Sequence, residues 1–174
     1  MHNNIVLIGF MGTGKSSVGF RLAARLKKEF IDMDREIENV SGMSISDIFR
    51  RYGERRFRSE ETLMSKKLSQ RENLVIATGG GVVLAPENVA MLRQNGVIVL
   101  LEAGAEDIWN RVNRKKGTRP LLKSAASVED IEKLLAERAP YYNCADIRVD
   151  TSNKELETII QEILLQMEAM PNLS

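Results

Sequence analysis

One stretch near the start of the chain combines glycines, a lysine and a serine at a spacing that suits phosphate binding. Residues 9–16 read Gly-Phe-Met-Gly-Thr-Gly-Lys-Ser, which matches the G-x4-G-K-[ST] pattern of the P-loop. Glycines let the backbone curl so that successive N–H groups point at phosphate oxygens, and the following helix adds its positive N-terminal end. On this interpretation Lys15, on an exposed loop, follows the charge between the β- and γ-phosphates, and the Ser16 hydroxyl binds Mg²⁺.

The residues on either side of this motif provide the context that it requires. An apolar run, Ile5–Ile8, precedes the motif, and apolar residues with helical spacing follow it. The motif alone does not distinguish a kinase from a GTPase or a mechanical ATPase. The chain has no Asn-Lys-x-Asp guanine-reading sequence, and the apolar run Leu74–Ala77 ends in Thr-Gly-Gly-Gly instead of Asp or Asp-Glu. The three glycines, 79–81, are expected to leave backbone amides open to a ligand.

Two aspartates follow the second strand candidate, Phe30–Asp32. Period-two alternation predicts that Asp32 and Asp34 point the same way, toward the phosphates. Asp32 then suits the Mg²⁺ shell through water, and Asp34 suits a substrate hydroxyl or its proton. Taken alone, Asp-x-Asp usually marks a solvated helix start, but its position one helix after the P-loop favours the functional interpretation.

Several arginines could recognise a carboxylate or phosphate, because the guanidinium group binds such anions through two parallel hydrogen bonds. Arg58 and Glu61 are i,i+3 neighbours, and together with an aromatic wall from Phe57 they could line a small polar pocket. Arg119 lies in a polar, basic segment, and Arg138 closes a later helix. Arg55, Arg56 and Glu60 suit a solvated helix face.

The elements that position these residues follow an alternating pattern. Apolar runs at 5–8, 74–77 and 97–101 predict strands buried on both faces, with weaker candidates at 30–32 and 147–149. Helical patterns lie between them, and Ser127 with Asp130 and Ser152 with Glu155 predict capping boxes. The pattern predicts a three-layer α/β fold with a parallel sheet.

Length and composition exclude several classes. At 174 residues we expect one domain, 1–174. A formal charge of +1 argues against a broad nucleic-acid footprint, and the single histidine and single cysteine exclude a Cys/His zinc site. Cys144 is interpreted as an inert core thiol. The start of the chain has neither a signal peptide nor a membrane span, so we expect a cytoplasmic monomer with no membrane or nucleic-acid partner.

The motifs together resemble the shikimate kinase family in order and spacing, over about residues 5–150. The residues that carry the resemblance are Gly9–Ser16, Asp32-x-Asp34, Phe57-Arg58-x-x-Glu61, Gly79-Gly80-Gly81, Arg119-Pro-Leu-Leu and Arg138-Ala-Pro-x-Tyr142. The resemblance implies a nucleoside-monophosphate-kinase-like P-loop kinase fold. Its five-stranded parallel sheet is flanked by helices, with a substrate-binding insertion at about 33–61 and a lid at about 113–124.

The resemblance also implies roles. Asp34, Arg58, Gly80 and Arg138 would hold shikimate, Glu61 would support Arg58, and Gly79 and Gly81 would offer backbone amides. Residues implied to bind ATP are Gly12, Thr13, Gly14, Lys15, Ser16, Ser17, Arg119 from the lid, and Arg111 beside the adenine. Arg114 is the alternative to Arg111, and Lys154 is a further candidate on the adenine side. Ser16 and Asp32 would bind one Mg²⁺ per subunit, and Lys15, Asp34 and Arg119 would be catalytic.

The implied activity is transfer of the γ-phosphoryl group of ATP to the 3-hydroxyl of shikimate, giving shikimate 3-phosphate and ADP on the pathway to chorismate and the aromatic amino acids. One alternative is another small-molecule kinase, such as a gluconate kinase, which would share the P-loop but not the arginines and triple glycine. Another is an idle ATP-binding module, which would often lose Lys15 or Asp34.

Overall fold

The computed structural model describes residues 3–114 and 127–170. Five parallel strands form one sheet in the order β2-β3-β1-β4-β5. The strands are β1 (Asn4–Ile8), β2 (Glu29–Asp32), β3 (Leu74–Ala77), β4 (Gly96–Glu102) and β5 (Ile147–Asp150). The helices are α1 (Lys15–Leu26), α2 (Met33–Ser41), α3 (Ile45–Ser69), α4 (Pro86–Arg93), α5 (Ala105–Asn113), α6 (Val128–Arg138) and α7 (Leu156–Glu168), with 3₁₀ turns at Val82–Leu84 and Ala139–Cys144. All five strand predictions are confirmed.

The sheet is buried on both faces, which explains why its strands are continuously apolar. In β1, Val6 and Ile8 face a core shared with α2, α3 and α4, whereas Ile5 and Leu7 face a core shared with α1 and α7. A smaller core joins the P-loop residue Phe10 to α5 and α6. The three-layer α/β prediction is confirmed.

The strand order determines what meets at the carboxyl edge of the sheet. β1 lies at the centre, so the P-loop that follows it is flanked by the ends of β3 and β4. Ala77 of β3 pairs with Leu7 on one side and with Asp32 of β2 on the other. In parallel sheets ligands bind at this edge.

Two helix starts show where local sequence signals succeed and fail. Ser127 caps α6, and its hydroxyl accepts a hydrogen bond from the Asp130 N–H at 3.3 Å, as predicted. The predicted capping box at Ser152 and Glu155 is wrong. Glu155 is the N-cap of α7 and makes no side-chain cap bond, whereas the Ser152 hydroxyl accepts from the Gly104 N–H at 3.0 Å. The Ser152 hydroxyl therefore bonds to the β4–α5 loop instead of capping α7.

The structure shows one feature of the surroundings of the site that the sequence did not predict. α3 is kinked at Gly53, where φ is 79° and ψ is 177°. Among the described residues, no helix is long and apolar enough to cross a bilayer. The predicted lid lies outside the described residues apart from Asn113 and Arg114, and Arg119 lies outside them too.

Candidate active site

The P-loop owes its shape to three glycines in left-handed backbone conformations. Gly9, Gly12 and Gly14 have φ values of 146°, 80° and 98°. At Gly9 a Cβ would also lie 2.4 Å from the Leu101 carbonyl oxygen. Since L side chains rarely adopt such φ values, the glycines allow the curl that precedes α1.

Lys15 begins α1 and turns back into this curl. Its Nζ donates to the carbonyl oxygens of Gly9, at 2.7 Å, and Phe10, at 2.9 Å. Only 9% of the residue is exposed, so the expected exposed position is wrong. The loop therefore wraps around its own lysine and holds the ammonium group inside the curl.

The two residues predicted to bind Mg²⁺ are in direct contact. The Ser16 hydroxyl donates to Oδ2 of Asp32 at 2.7 Å, and Oδ1 of Asp32 accepts from the Arg35 N–H at 3.3 Å. The described residues contain no group of three or more His, Cys, Asp or Glu side chains that could hold a metal. Mg²⁺ in nucleotide sites uses one or two protein oxygens and completes its shell with phosphates and water. This pair fits that requirement.

Asp34 reaches the site by a different route from the one predicted. β2 ends at Asp32 and α2 begins at Met33, so Asp34 lies in the first turn of a helix and strand alternation does not apply. Its Oδ1 is nevertheless buried and lies 2.7 Å from where a Cβ on Gly79 would stand. The helix start thus directs the carboxylate at the glycine turn.

Four charged side chains from three helices surround the 79–81 turn, and we refer to them as the acid–arginine cluster: Asp34, Arg58, Glu61 and Arg138. Nη1 of Arg58 donates to Oε2 of Glu61 at 2.7 Å. Its Nε and Nη2 donate to Oε1 of Glu54 at 3.3 and 3.0 Å. Nη1 of Arg138 donates to the Gly80 carbonyl oxygen at 3.0 Å. The predicted Arg58–Glu61 pair is confirmed.

The glycine turn has a packing reason that the sequence did not reveal. A Cβ on Gly81 would lie 2.0 Å from Nη1 of Arg58, and one on Gly79 would lie 3.0 Å from Oε1 of Glu61. The backbone at Gly80 passes the P-loop, since a Cβ there would stand 3.6 Å from the Met11 nitrogen. The glycines therefore bring charged side chains close to the backbone beside the P-loop.

Burial shapes the electrostatics of the cluster. Glu61 is 1% exposed, and this burial raises the pKa of its carboxyl although attraction to Arg58 opposes the shift; repulsion by Asp34 raises it further. For Arg58, partial burial lowers the pKa, but the attraction and hydrogen bonds of Glu61 and Glu54 outweigh it, so the net pKa is raised. Oε1 of Glu61 is buried and accepts no hydrogen bond from the described residues. Buried charge beside a glycine turn is typical of a functional site.

Two aromatic residues support the cluster from the core. Phe57 is buried, with its ring centroid 5.0 Å from that of Phe49 and the Arg58 guanidinium carbon 5.5 Å from its ring. The expected pocket wall is therefore a core residue on which Arg58 rests. Tyr142 is also buried, which raises the pKa of its phenol to about 12 and keeps it neutral.

On the opposite side of the P-loop, the structure distinguishes between the adenine-side candidates. Nη1 of Arg111 donates to the Gly12 carbonyl oxygen at 3.2 Å, whereas Arg114 is exposed at the end of α5. Lys154 pairs with Glu162 at 2.8 Å. Ser17 is exposed in the first turn of α1. Arg111 is thus the candidate that contacts the P-loop.

Sequence reasoning missed Thr151, which is 1% exposed and hydrogen-bonded to the P-loop. It also missed Glu54, the second acceptor for Arg58. Thr151 directly follows β5, and residues at the carboxyl ends of parallel strands are where such contacts arise. No motif marks it. Cys144 is half-buried against the core, and burial raises the pKa of its thiol, in agreement with an inert group.

A model of the family described as shikimate kinase matches residues 11–168. The chain belongs to the shikimate kinase family. It is similar to the shikimate kinase of Pelotomaculum thermopropionicum, with 54% identity over 161 residues that cover 92% of this chain and 93% of that protein.

Solved shikimate kinase structures share its fold. One from Acinetobacter baumannii, in complex with shikimate, aligns with a TM-score of 0.90 and 38% identity over 96% of this chain and 93% of that one. One from Aquifex aeolicus aligns with a TM-score of 0.84 and 38% identity over 98% and 99%. Members of the shikimate kinase family are ATP-dependent kinases, so the predicted family and enzyme class are confirmed over the gluconate kinase and idle-module alternatives.

Proposed function

We propose that this chain transfers the γ-phosphoryl group of ATP to the 3-hydroxyl of shikimate, giving shikimate 3-phosphate and ADP, as a step toward chorismate and the aromatic amino acids. The observation that carries the proposal is the acid–arginine cluster packed around a glycine turn beside the P-loop, in a chain of this family. The similar Acinetobacter baumannii enzyme is in complex with shikimate, which supports this acceptor.

The P-loop supplies the nucleotide site. Backbone N–H groups of residues 12–17 and the start of α1 bind the phosphates. Arg111, which donates to the Gly12 carbonyl oxygen, is predicted to flank the adenine. Lys15 exchanges its carbonyl partners for phosphate oxygens and stabilises the charge that develops during transfer. Arg119, from the part of the chain outside the described residues, is predicted to add a second positive charge.

Ser16 and Asp32 would hold Mg²⁺ together with the ATP phosphates. When bound, the ion neutralises phosphate charge during transfer. The chain's own part is to keep the hydroxyl and carboxylate oxygens together, and their 2.7 Å contact does so. Asp32 is also fixed by its bond to the Arg35 N–H at the start of α2.

The acid–arginine cluster supplies the acceptor site. Arg58 and Arg138 bind the shikimate carboxylate through charge-assisted hydrogen bonds, while their present partners, Glu61 and the Gly80 carbonyl, hold them in place. The insertion at about 33–61, which forms α2 and the first part of α3, carries Asp34 and Arg58 to this position. The backbone of 79–81 lies against the ring.

Asp34 orients the acceptor hydroxyl. The hydroxyl oxygen bonds to the γ-phosphorus, the bond from that phosphorus to the β–γ bridging oxygen breaks, and the hydroxyl proton passes to the Asp34 carboxylate. Because phosphoryl transfer needs little covalent help from the protein, positioning and charge stabilisation provide most of the rate enhancement. We expect a cytoplasmic monomer.

A coupled ADP-release assay tests the proposal. Shikimate, gluconate and several nucleoside monophosphates are offered in parallel with Mg²⁺ and ATP, with Lys15→Ala protein as the blank for contaminating activity. Of the acceptors offered, we expect only shikimate to give ADP release above the blank. Equal or greater release with another acceptor would contradict the assignment of substrate, and no release with any acceptor would contradict the assignment as an active kinase.

A further inference from the structure

A buried hydrogen-bond junction lies behind the P-loop, and its central residue, Thr151, has none of the roles assigned above. Thr151 is its centre: the hydroxyl lies 3.0 Å from the Thr13 carbonyl oxygen and 2.9 Å from that of Glu102. The Thr151 N–H also donates to Glu102 O at 2.8 Å. Arg111 donates from Nη1 to Thr151 Oγ1 at 3.1 Å and from Nη2 to Thr151 O at 2.9 Å. One side chain therefore joins the P-loop, β4, α5 and the end of β5.

Counting protons shows which bond the hydroxyl makes. A threonine hydroxyl has one hydrogen to donate and lone pairs with which to accept. Arg111 donates to the oxygen, so the single hydrogen must serve one of the two carbonyls. Glu102 O already receives the Thr151 N–H, whereas a buried carbonyl at Thr13 also needs a donor. The hydroxyl hydrogen is therefore best placed on Thr13 O.

That bond fixes the orientation of a P-loop amide. The Thr13 carbonyl and the Gly14 N–H belong to one peptide unit, and the described residues contain no cis peptide. In a planar trans peptide the two groups point in opposite directions. Holding Thr13 O toward Thr151 therefore turns the Gly14 N–H toward the other side of the loop. When the carbonyl of a peptide unit accepts a hydrogen bond, the N–H of the same unit, here that of Gly14, becomes a stronger donor.

We propose that Thr151 is a positioning residue for nucleotide binding, whose hydroxyl fixes the Thr13–Gly14 peptide so that the Gly14 N–H faces the phosphates of ATP. The proposal rests on the nucleotide site proposed above. It assigns to the end of β5 an influence on phosphate affinity, exerted through the backbone and not through contact with the ligand.

The test compares Thr151→Val, which keeps the shape and removes the hydroxyl, with Thr151→Ser, which keeps the hydroxyl. Calorimetric titration with ADP and with adenosine separates phosphate recognition from adenine recognition. We expect Thr151→Val to weaken ADP binding by roughly tenfold, the value of one hydrogen bond whose partner is left buried. Arg111 keeps its bonds to the carbonyl oxygens of Gly12 and Thr151, so adenosine and shikimate affinities should stay within about twofold. Thr151→Ser should restore ADP binding.

The control is Asn4→Ala, at the start of the central strand β1 and therefore at the end of the strand away from the P-loop. Asn4 is also 1% exposed, and its side chain donates to Arg71 O at 2.7 Å and accepts from the Leu74 N–H at 2.9 Å. It should lower stability without changing ADP affinity, which separates a general loss of stability from a P-loop effect.

Thr151→Ala removes the same hydroxyl if the valine variant does not fold. Unchanged ADP affinity in a folded variant would overturn the proposal, as would equal weakening of ADP and adenosine. Loss of folding in both variants would assign the hydroxyl to folding and overturn it as well. Because these titrations require no turnover, a failure of shikimate phosphorylation would be seen separately.

Discussion

The P-loop and the acid–arginine cluster lie side by side but are built in opposite ways. The P-loop is a continuous stretch whose shape comes from backbone torsions, with Lys15 satisfied by the loop's own carbonyls. The cluster is assembled from α2, α3 and α6 around a turn after β3, where Arg58 is held by Glu61 and Arg138 by the Gly80 carbonyl oxygen. One site is local and depends on the backbone, whereas the other is non-local and depends on side chains.

The two constructions carry different costs. Lys15 is paired with neutral carbonyl oxygens at the start of α1. The cluster instead buries Glu61 near a second carboxylate, and the raised pKa of Glu61 reflects the free-energy cost of burying its charge. Changes in the P-loop should therefore reduce turnover with any acceptor. Changes in the cluster should affect the acceptor and leave the nucleotide alone.

The largest effect is expected from Lys15→Ala. Removing a charge that acts on the developing transition state should lower kcat by about 10³-fold. The variant should still fold, with a lower thermal midpoint, because the carbonyl oxygens of Gly9 and Phe10 lose the donor that Lys15 supplies. Lys66→Ala, an exposed lysine on α3, is the matched control. Near-normal kcat at saturating ATP would remove the P-loop from the mechanism.

Asp34→Asn should come next, with kcat lowered by about 10²- to 10³-fold and little change in the ADP dissociation constant. Asparagine keeps the shape but cannot take a proton, and Asp34 faces the glycine turn and not Ser16. Asp47→Asn, on the surface of α3, provides the control. Loss of ADP binding with a normal transfer rate would mean that the roles of Asp32 and Asp34 are exchanged.

Arg138→Ala should lower kcat/KM for shikimate by roughly 10²-fold, because two charge-assisted hydrogen bonds are lost. Comparing shikimate with its methyl ester sharpens the test. The wild-type protein should prefer the carboxylate strongly, and the variant should lose most of that preference. If the variant keeps the full preference, the carboxylate is bound elsewhere.

Glu61→Gln should have the smallest effect on activity, about tenfold in kcat/KM for shikimate, because Arg58 keeps Glu54 as a partner. The same substitution should increase the stability of the folded protein although it lowers activity. A raised native pKa means that the folded protein binds this proton more tightly than the unfolded chain, so wild-type stability rises as the pH falls from the native pKa toward the ordinary value of 4.5.

The free energy of unfolding of Glu61→Gln should therefore exceed that of the wild-type protein near pH 7, and the gain should shrink as the pH approaches 4.5. Denaturant unfolding at several pH values measures this difference, with Glu132→Gln, exposed on α6, as the control. A variant less stable than the wild-type protein at pH 7 would contradict the proposed cost of burial.

How much the sequence predicted follows the same division. The P-loop and the five strands were predictable because each depends on residues close together in the chain or on a simple strand pattern. The Arg58–Glu61 pair was predictable from helical spacing. For the strands and for this pair, the periodicity of one element decides which side chains share a face.

The features that the sequence did not predict correctly depend on contacts between different helices, strands and loops. The direction of the Asp34 side chain depends on where β2 ends and α2 begins. The hydrogen bond of the Ser152 hydroxyl depends on the position of the β4–α5 loop. Thr151 carries no pattern of its own, and its importance comes from the strand order that places β5 beside β4 and the P-loop. The close packing of Arg58 on Gly81 is likewise visible only once the helices are in place.

The most direct test of the central claim, that the two sites are separable and that the cluster binds shikimate, is a pair of titrations of Arg58→Ala. ADP and shikimate are titrated separately into the wild-type protein, Arg58→Ala and the control Arg55→Ala, an exposed arginine on the same helix. We predict that Arg58→Ala binds ADP like the wild-type protein and loses shikimate affinity by roughly 10²-fold, while Arg55→Ala changes neither. Unchanged shikimate affinity in Arg58→Ala, or an equal loss for both ligands, would contradict the account.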